Sequence, residues 1–377
     1  MKILSLITEY NPFHNGHIYH IEQAKALTSP DVTIAIMSGS FTQRGEIAIT
    51  DKFKRTRAAL EHVDLVAELP FLNAVSAADD FARGGVHIAN LLHSTDLVFG
   101  SESGNIDTLF QAAEASQSLK VSDEFNSLLK KGYSYPRAMS ELTKNTHYSS
   151  PNDTLGVSYI NAIRDIDAPI RPGTIQRMGN NYSDSSLSSA AFSSATSLRT
   201  ALFNGDTEEA KKFMPEGLVT AMMNDHLASN EDLFKTLKTI ILSRSPGELK
   251  SIYMMTEGLE HRLQDKIRAA ASYSEFLSSV KTKRYTWTRL SRLMISILLN
   301  ITEDLMAEYT LPDHVRILGM TQNGRQYLKQ LGNENIITNV NKKNRDLVSH
   351  EVTATEVYNT FTGGKSNDFN TPVIIVP

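Results

Sequence analysis

Two histidines, His14 and His17, stand three residues apart in the segment ILSLITEYNPFHNGHIYH, residues 3–20, with Asn15 and Gly16 between them. Residues at this spacing at the start of a helix share a face, so both imidazoles can meet one bound group. A helix start also gathers unpaired backbone N–H groups and the positive end of the helix dipole, which together favour phosphate. Gly16 would let the backbone approach such a ligand closely. The competing reading is a strand-turn-helix corner that carries two solvated histidines. Far downstream lies Ser193-Ser194-Ala195-Thr196-Ser197-Leu198-Arg199, which sets hydroxyls and a cation at another helix start. That combination suits phosphate oxygens, and it equally makes a helix cap beside a surface arginine. A third segment, KTKRYTWTRLSR at 281–292, interleaves Lys281, Lys283, Arg284, Arg289 and Arg292 with Tyr285 and Trp287. Cations pair with phosphates and rings stack on bases, so the mixture suits RNA; a solvated basic helix is the plain alternative.

Apolar periodicity shows which elements must position these residues. Ile3-Leu4-Ser5-Leu6-Ile7 reads as a short buried strand ending in a Thr-Glu-Tyr-Asn-Pro turn. Pro12 sets that turn and holds Asn11 extended. Ile18, Ile21, Ala24 and Leu27 then recur at helical spacing, which puts the histidines at the mouth of that helix. VTIAIM at 32–37 is the next strand and closes a β-α-β unit. Such units imply a doubly wound parallel α/β sheet with ligands outside the strands' carboxyl ends. The loop SGSFTQRGE, residues 38–46, leaves that strand end facing the same crevice as His14.

Further strands are expected at 65–69 and 96–102, the latter closing on Gly100. A basic helix is expected at 52–61, with more helix at 78–92 and across 105–145. A turn at 150–156 opens a helix running to about Arg164, where Asn152 either caps or holds a ligand. Residues 169–178 read as extended, with Arg177 near the end, and 182–194 as a mobile Ser-rich loop. The helix after Arg199 stops at Asn204-Gly205-Asp206, and a domain boundary is placed there: an α/β domain at 1–205 and a mainly helical one at 206–377. Helices fill 207–310, with Leu290, Leu293, Met294, Ile297 and Leu298 as a core stripe. Beyond 313 the pattern is fainter, with a strand at 315–317, a helix near 325–331 and an apolar end at 373–376.

At 377 residues, with 41% hydrophobic and 21% charged, the chain has the length of two ordinary globular domains. No apolar run reaches the ~20 residues a bilayer span needs, and no signal-like segment precedes the first strand, so a cytoplasmic protein with no membrane partner is expected. The absence of cysteine excludes disulfides, thiolate metal sites and a cysteine nucleophile. The net charge of −4 hides an asymmetry: from Arg262 to Arg292 eight Lys/Arg stand against Asp265 and Glu275, leaving the rest of the chain at −10. A local basic block points to a polyanionic partner.

His-x-Gly-His after a first strand, paired with Ser-Ser-x-Thr-x-x-Arg before a late helix, resembles the double signature of the HIGH-type nucleotidyltransferase superfamily. Either half alone is a weak motif; the pair is far more specific. The further segments SGSFTQRGE, FGSESG, SPNDTLGVSYINAI and TKRYTWTRLSR, in that order, make the chain similar to the bacterial tRNA(Met) cytidine acetate ligase family over most of its length. The resemblance implies a Rossmann-like fold, ATP as substrate with Mg²⁺, activation of acetate as acetyl-adenylate, and acetyl transfer to the wobble cytidine of elongator tRNA(Met) to give N4-acetylcytidine. Carried over by position, the ATP contacts would be Ile7, Thr8, Glu9, Tyr10, Asn11, Pro12, Phe13, His14, Asn15, Gly16, His17, Ile18, Tyr19, His20, Gly100, Asn152, Arg177 and Met178. His14 and His17 would act at the α-phosphate, and Ser193, Ser194, Thr196 and Arg199 at the β/γ end. The tRNA grip would come from Lys281, Lys283, Arg284, Tyr285, Arg289 and Arg292. No dedicated metal ligands are assigned. The chain departs from the family pattern at Ser40, where Asn is expected, at Ile47, where Pro is expected, and at Ser183, where His is usual. The rival readings are a small-molecule adenylyltransferase or ligase using the same ATP site, which leaves the basic segment idle, and a non-catalytic binding module, for which two phosphate signatures are superfluous.

Overall fold

The apolar runs become strands because both of their faces are covered. In β1 (Ile3–Thr8), Leu4 and Leu6 enter one buried cluster while Ile3 enters another on the opposite side of the sheet. This two-sided burial is what makes parallel strands read as nearly continuous hydrophobic stretches. The computed structural model describes residues 1–377 apart from 121, 132, 134–137, 140, 143–149 and 178–192. β1 pairs in parallel with β2 (Val32–Ser38), placing Ile3 opposite Val32 and Thr8 opposite Met37, and β2 pairs with β3 (Leu65–Leu69). On its other edge β1 pairs with β4 (Asp96–Ser101), which pairs with β5 (Arg171–Gln176). The chain thus builds outward from β1 in one direction and then returns to build in the other. That reversal opens a crevice beyond the carboxyl ends of β1 and β4.

Of the helices that follow the first strands, α1 (Asn15–Thr28) and α4 (Ala78–Leu91) border the crevice, while α2 (Lys52–Ala59) and the short α3 (Phe71–Ala74) follow β2 and β3. The helix Pro151–Asp165 closes the β4 side. Between Thr207 and Glu308 the chain is helix after helix, as expected.

The C-terminal segment joins the sheet. Residues 313–377 do not stay with the helices: β6 (Val315–Met320) adds antiparallel to β3, and β7 (Ile336–Ile337) and β8 (Ile374–Ile375) pair with β6. The reason is electrostatic as well as apolar. Lys52 Nζ lies 2.7 Å from Glu68 and 2.9 Å from Asp368, and Arg316 lies 3.4 Å from Asp368, all four side chains buried. Buried charges survive only when mutually paired, so these partners tie the C-terminal segment to α2 and β3. The core of the helical part also takes in Phe41, Ile47 and Ala48 from the loop after β2 and Phe71, Leu72 and Val75 around α3. Gly45 marks the seam: its φ is +74°, and a Cβ there would meet the backbone of Arg292 at 2.3 Å. Among the described residues no helix is long and apolar enough to cross a membrane.

Candidate active site

His14 is the N-cap of α1. Its Nδ1 accepts from the Gly16 amide at 3.0 Å, and its own amide donates to Nδ1 of His17 at 3.3 Å. An amide can only donate, so both Nδ1 atoms are unprotonated acceptors and each neutral ring carries its proton on Nε2. The rings stack, centroids 3.9 Å apart, and both line one cavity. Burial, reinforced by Arg177 and Arg199, pushes the His14 imidazole down to about 3; burial and the neighbouring His14 hold His17 well below the ordinary histidine range; and burial with Arg177 brings His20 to about 4. The pair therefore stands as fixed neutral N–H donors at the positive end of a helix whose first turn has no acid. Gly16 is required here for a reason other than ligand approach: a Cβ would sit 2.8 Å from the His14 ring.

The downstream signature reaches the same place. Ser194 caps the helix Ala195–Phe203 by accepting from the Ser197 amide at 3.1 Å, and Ser193 Oγ lies 2.7 Å from Ser197 Oγ. From the first turns of that helix Arg199 extends back across the fold. Its Nη1 donates to the Asn11 carbonyl at 2.8 Å, and its Nη2 lies 3.3 Å from Glu46. One guanidinium therefore joins the serine segment, the histidine turn and the loop after β2.

That loop is held from below by Arg55, whose side chain is fully buried. Its Nη1 donates to the carbonyls of Glu9 at 2.8 Å and Ser38 at 3.0 Å, its Nε to Thr50 at 3.2 Å, and its Nη2 to Gly39. It clamps the exits of β1 and β2 side by side. Ile47 donates its amide to Asn230 Oδ1 at 2.9 Å, a bond that the proline expected there could not make. Ser40 is buried against Thr355.

A cavity of about 920 Å³ gathers most of the predicted residues. Ile7, Thr8, Glu9, Tyr10, Asn11, His14, Gly16, His17, Tyr19, His20, Gly100, Asn152, Arg177, Ser193, Ser194 and Arg199 line it. Pro12, Phe13, Asn15, Ile18 and Thr196 do not. Phe13 is core, packed edge-on against Tyr10, while Asn15 bonds to the carbonyls of Lys212 and Phe213, and Thr196 Oγ1 accepts from Arg199. Asn152 is not the cap, which is Ser150; its Nδ2 donates to Glu102 at 2.7 Å and its Oδ1 accepts from Arg177. Met178, Ser183 and most of the Ser-rich loop lie outside the described residues.

The opposite wall comes from the helical part and takes in part of the expected RNA face. Arg284, Arg289 and Arg292 line the cavity together with Tyr253, Met254, Thr286 and Thr288, none of the last four foreseen. Arg292 is only 9% exposed, with Nη1 donating to the Gln43 carbonyl at 3.1 Å, so it is no surface phosphate contact. Tyr285 is buried with its hydroxyl 2.8 Å from Thr256, and its ring supports Arg289 at 5.2 Å, which leaves no free face for a base. Trp287, half exposed with Lys281 Nζ 5.7 Å above its ring, is the available aromatic. Lys283 and Arg284 are exposed.

The chain matches the HIGH Nucleotidyl Transferase family over residues 1–371. It is 45% identical to the tRNA(Met) cytidine acetate ligase of Staphylococcus saprophyticus, over 99% of this chain and 100% of that one. It is 42% identical to the protein of the same name from Staphylococcus carnosus, over 100% and 99% of the two chains. Its fold superposes on apo Thermotoga maritima TmcAL with a TM-score of 0.90 at 33% identity, and on the same protein bound with alpha-thio ATP with a TM-score of 0.87 at 32%, each covering 100% of both chains.

Proposed function

The chain belongs to the tRNA(Met) cytidine acetate ligases within the HIGH Nucleotidyl Transferase family, and from the geometry of its cavity we infer how the work is divided. The enzyme joins acetate to the wobble cytidine of elongator tRNA(Met) at the expense of ATP. In the first step an acetate oxygen bonds to the α-phosphorus, the bridging P–O bond to the β-phosphate breaks, and pyrophosphate leaves with the electron pair. In the second step the cytidine N4 attacks the acyl carbon, AMP departs, and N4 gives up a proton. Adenylyl transfer of this kind is catalysed mainly by positioning and by stabilising charge on phosphate oxygens.

His14 and His17, locked as Nε2–H donors at the start of α1, serve the α-phosphate, where negative charge grows in the transition state. Donors fixed in a shielded cavity need no reorganisation when that charge appears. Ser193, Ser194 and Arg199 hold the β/γ end and then the departing pyrophosphate. Mg²⁺ would arrive with the nucleotide and screen its phosphate charge. Among the described residues no cluster of three or more His, Cys, Asp or Glu converges, so phosphate oxygens and water would supply most of its ligands. Lys281, Lys283, Arg284, Arg289 and Trp287 present the tRNA surface, and the cytidine reaches the adenylate from a single-stranded anticodon loop, where unstacking costs least. A cytoplasmic location follows from that substrate.

The observation that carries this reading is the bond from Arg199 to the Asn11 carbonyl, which joins the two signatures at one cavity. The test is mass analysis of methionine tRNA incubated with the protein, ATP and isotopically labelled acetate. The expected product is labelled N4-acetylcytidine at the wobble position, with one AMP and one pyrophosphate per acetyl group. ADP with phosphate, or label elsewhere, would reject it.

A further inference from the structure

The roles above leave Arg292 of the cavity wall unused. Arg292, on the helix Trp287–Leu298, faces the cavity, is 9% exposed, and has no ion-pair partner among the described residues. Its Nη1 is tied to the Gln43 carbonyl, while its Nε is shielded from solvent and finds no acceptor. Arg289 and Arg44 both act to repel its charge, and Tyr253 and Asp80 offset part of it. Burying a guanidinium in this way is unfavourable unless an anion completes it.

Position selects the anion. Gln43 joins Arg292 to two other walls: its amide donates to Glu9 Oε1 at 2.7 Å, and its Nε2 to the Ser76 carbonyl at 3.3 Å. Glu9 leads directly into the histidine turn, and Ser76 into α4. At that helix start Ala77 makes no side-chain cap; Ala77, Ala78 and Phe81 line the cavity with small and apolar surface, and Asp79 lines it beside them with its Oδ1 accepting from Ser158 Oγ at 2.7 Å. The anion for this corner must be small enough to reach a nearly buried guanidinium, planar enough to match its edge, and tolerant of an apolar neighbour on its far side. A carboxylate on a methyl group meets all three conditions. A tRNA phosphate, carried on a bulky chain, is better met by the exposed cations Lys283 and Arg284.

We propose that Arg292 binds the carboxylate of acetate, beside the uncapped first turn of α4, and presents it to the α-phosphate at the histidine turn. The proposal rests on the acetate-activating function inferred above. It also gives the helical part a share in the first half-reaction, and not only in holding tRNA.

Acetate-dependent ATP–pyrophosphate exchange needs no tRNA and reads this step directly. In Arg292→Lys and Arg292→Gln the KM for acetate should rise roughly 10- to 100-fold, the effect of losing charge-assisted hydrogen bonds, with Lys the milder change. Affinity for α,β-methylene-ATP, which cannot transfer its adenylyl group, and for tRNA by filter binding should stay within about twofold, since a change confined to acetate leaves other ligands alone. The wild-type protein supplies a reading that does not depend on the variants folding. Modification of Arg292 by phenylglyoxal, mapped by peptide mass, should be slowed by acetate in the presence of α,β-methylene-ATP and not by neutral acetamide. Variants with an unmoved acetate KM and a loss in ATP or tRNA affinity would overturn the assignment, as would modification indifferent to acetate. A wild type with no acetate-dependent exchange would overturn both the assignment and the activity beneath it.

Discussion

Residues 52–57 read KFKRTR and residues 281–284 read KTKR, yet the fold treats the two basic stretches in opposite ways. In α2, Lys52 and Arg55 are fully buried. Lys52 is satisfied by Glu68 and Asp368, Arg55 by four backbone carbonyls. Before the helix Trp287–Leu298, Lys283 and Arg284 are exposed, and neither they nor Arg289 has an acidic partner among the described residues. A cation answered inside the protein holds the fold together. One left unanswered at the mouth of a cavity is available to a ligand. Sequence reports the charge in both cases, but the partner that decides its role is remote in the chain.

Breaking the buried side of this contrast should have the largest effect. Lys52→Met leaves Glu68 and Asp368 facing each other without their shared cation, and should cost about 3–5 kcal/mol of stability. Lys283→Met, an equal change of charge at the surface, should stay within about 0.5 kcal/mol. Urea unfolding of the two variants makes the comparison, and similar losses would erase the distinction.

The exposed side is tested by replacing Lys283, Arg284 and Arg289 together with Ala. For every phosphate these cations no longer neutralise, the dependence of log affinity on log salt should flatten by about one unit, with tRNA binding weakened most at low salt. Acetate-dependent pyrophosphate exchange should persist. Filter binding at two salt concentrations checks it, and an unchanged slope would mean these cations merely solvate a helix.

A smaller effect separates the two rings of the segment. Trp287→Ala should weaken tRNA binding by about 1–3 kcal/mol if a base stacks there. Tyr285→Phe removes only the hydroxyl bond to Thr256 and should lower stability by about 1 kcal/mol without touching tRNA affinity. The reverse pattern would restore Tyr285 to the RNA face.

A pH-dependent effect concerns protons on the histidine wall. His14 and His20 titrate near 3 and 4 in the folded chain, pushed down first by burial, against about 6.5 when unfolded. In that interval the unfolded chain binds more protons, so the stability these groups contribute is intact above about 6.5 and is lost as the pH falls toward 3 to 4. His20→Gln should therefore lose less stability than the wild type between pH 7 and 4, measured as urea midpoints across that range. Parallel curves would mean that His20 titrates normally.

Much of the first sheet was legible because parallel strands buried on both faces are runs of aliphatic residues, and the histidine turn follows one of them directly. The C-terminal strands were faint for physical reasons: β7 and β8 have two residues each, and β6 carries Arg316, whose charge makes sense only beside Asp368. The burial of Tyr285 and Arg292 was not legible, because interleaved cations and rings do not tell which side of a short helix meets a distant loop. Nor does local sequence show that Arg199 bonds to Asn11 and Glu46, or that Gln43 links Glu9, Ser76 and Arg292. Those partners are brought together only by the sheet and by the seam at Gly45.

The central claim is that two neutral histidines at the start of α1 stabilise the α-phosphate while acetate displaces pyrophosphate. Its most direct test is acetate-dependent ATP–pyrophosphate exchange by the wild type, His14→Ala, His17→Ala and the double variant, with tRNA binding measured alongside. Each single variant should lose ~10²-fold or more in exchange rate, as when one preorganised donor is removed from a transition state, while tRNA affinity holds. Near-normal exchange in the double variant would contradict the account.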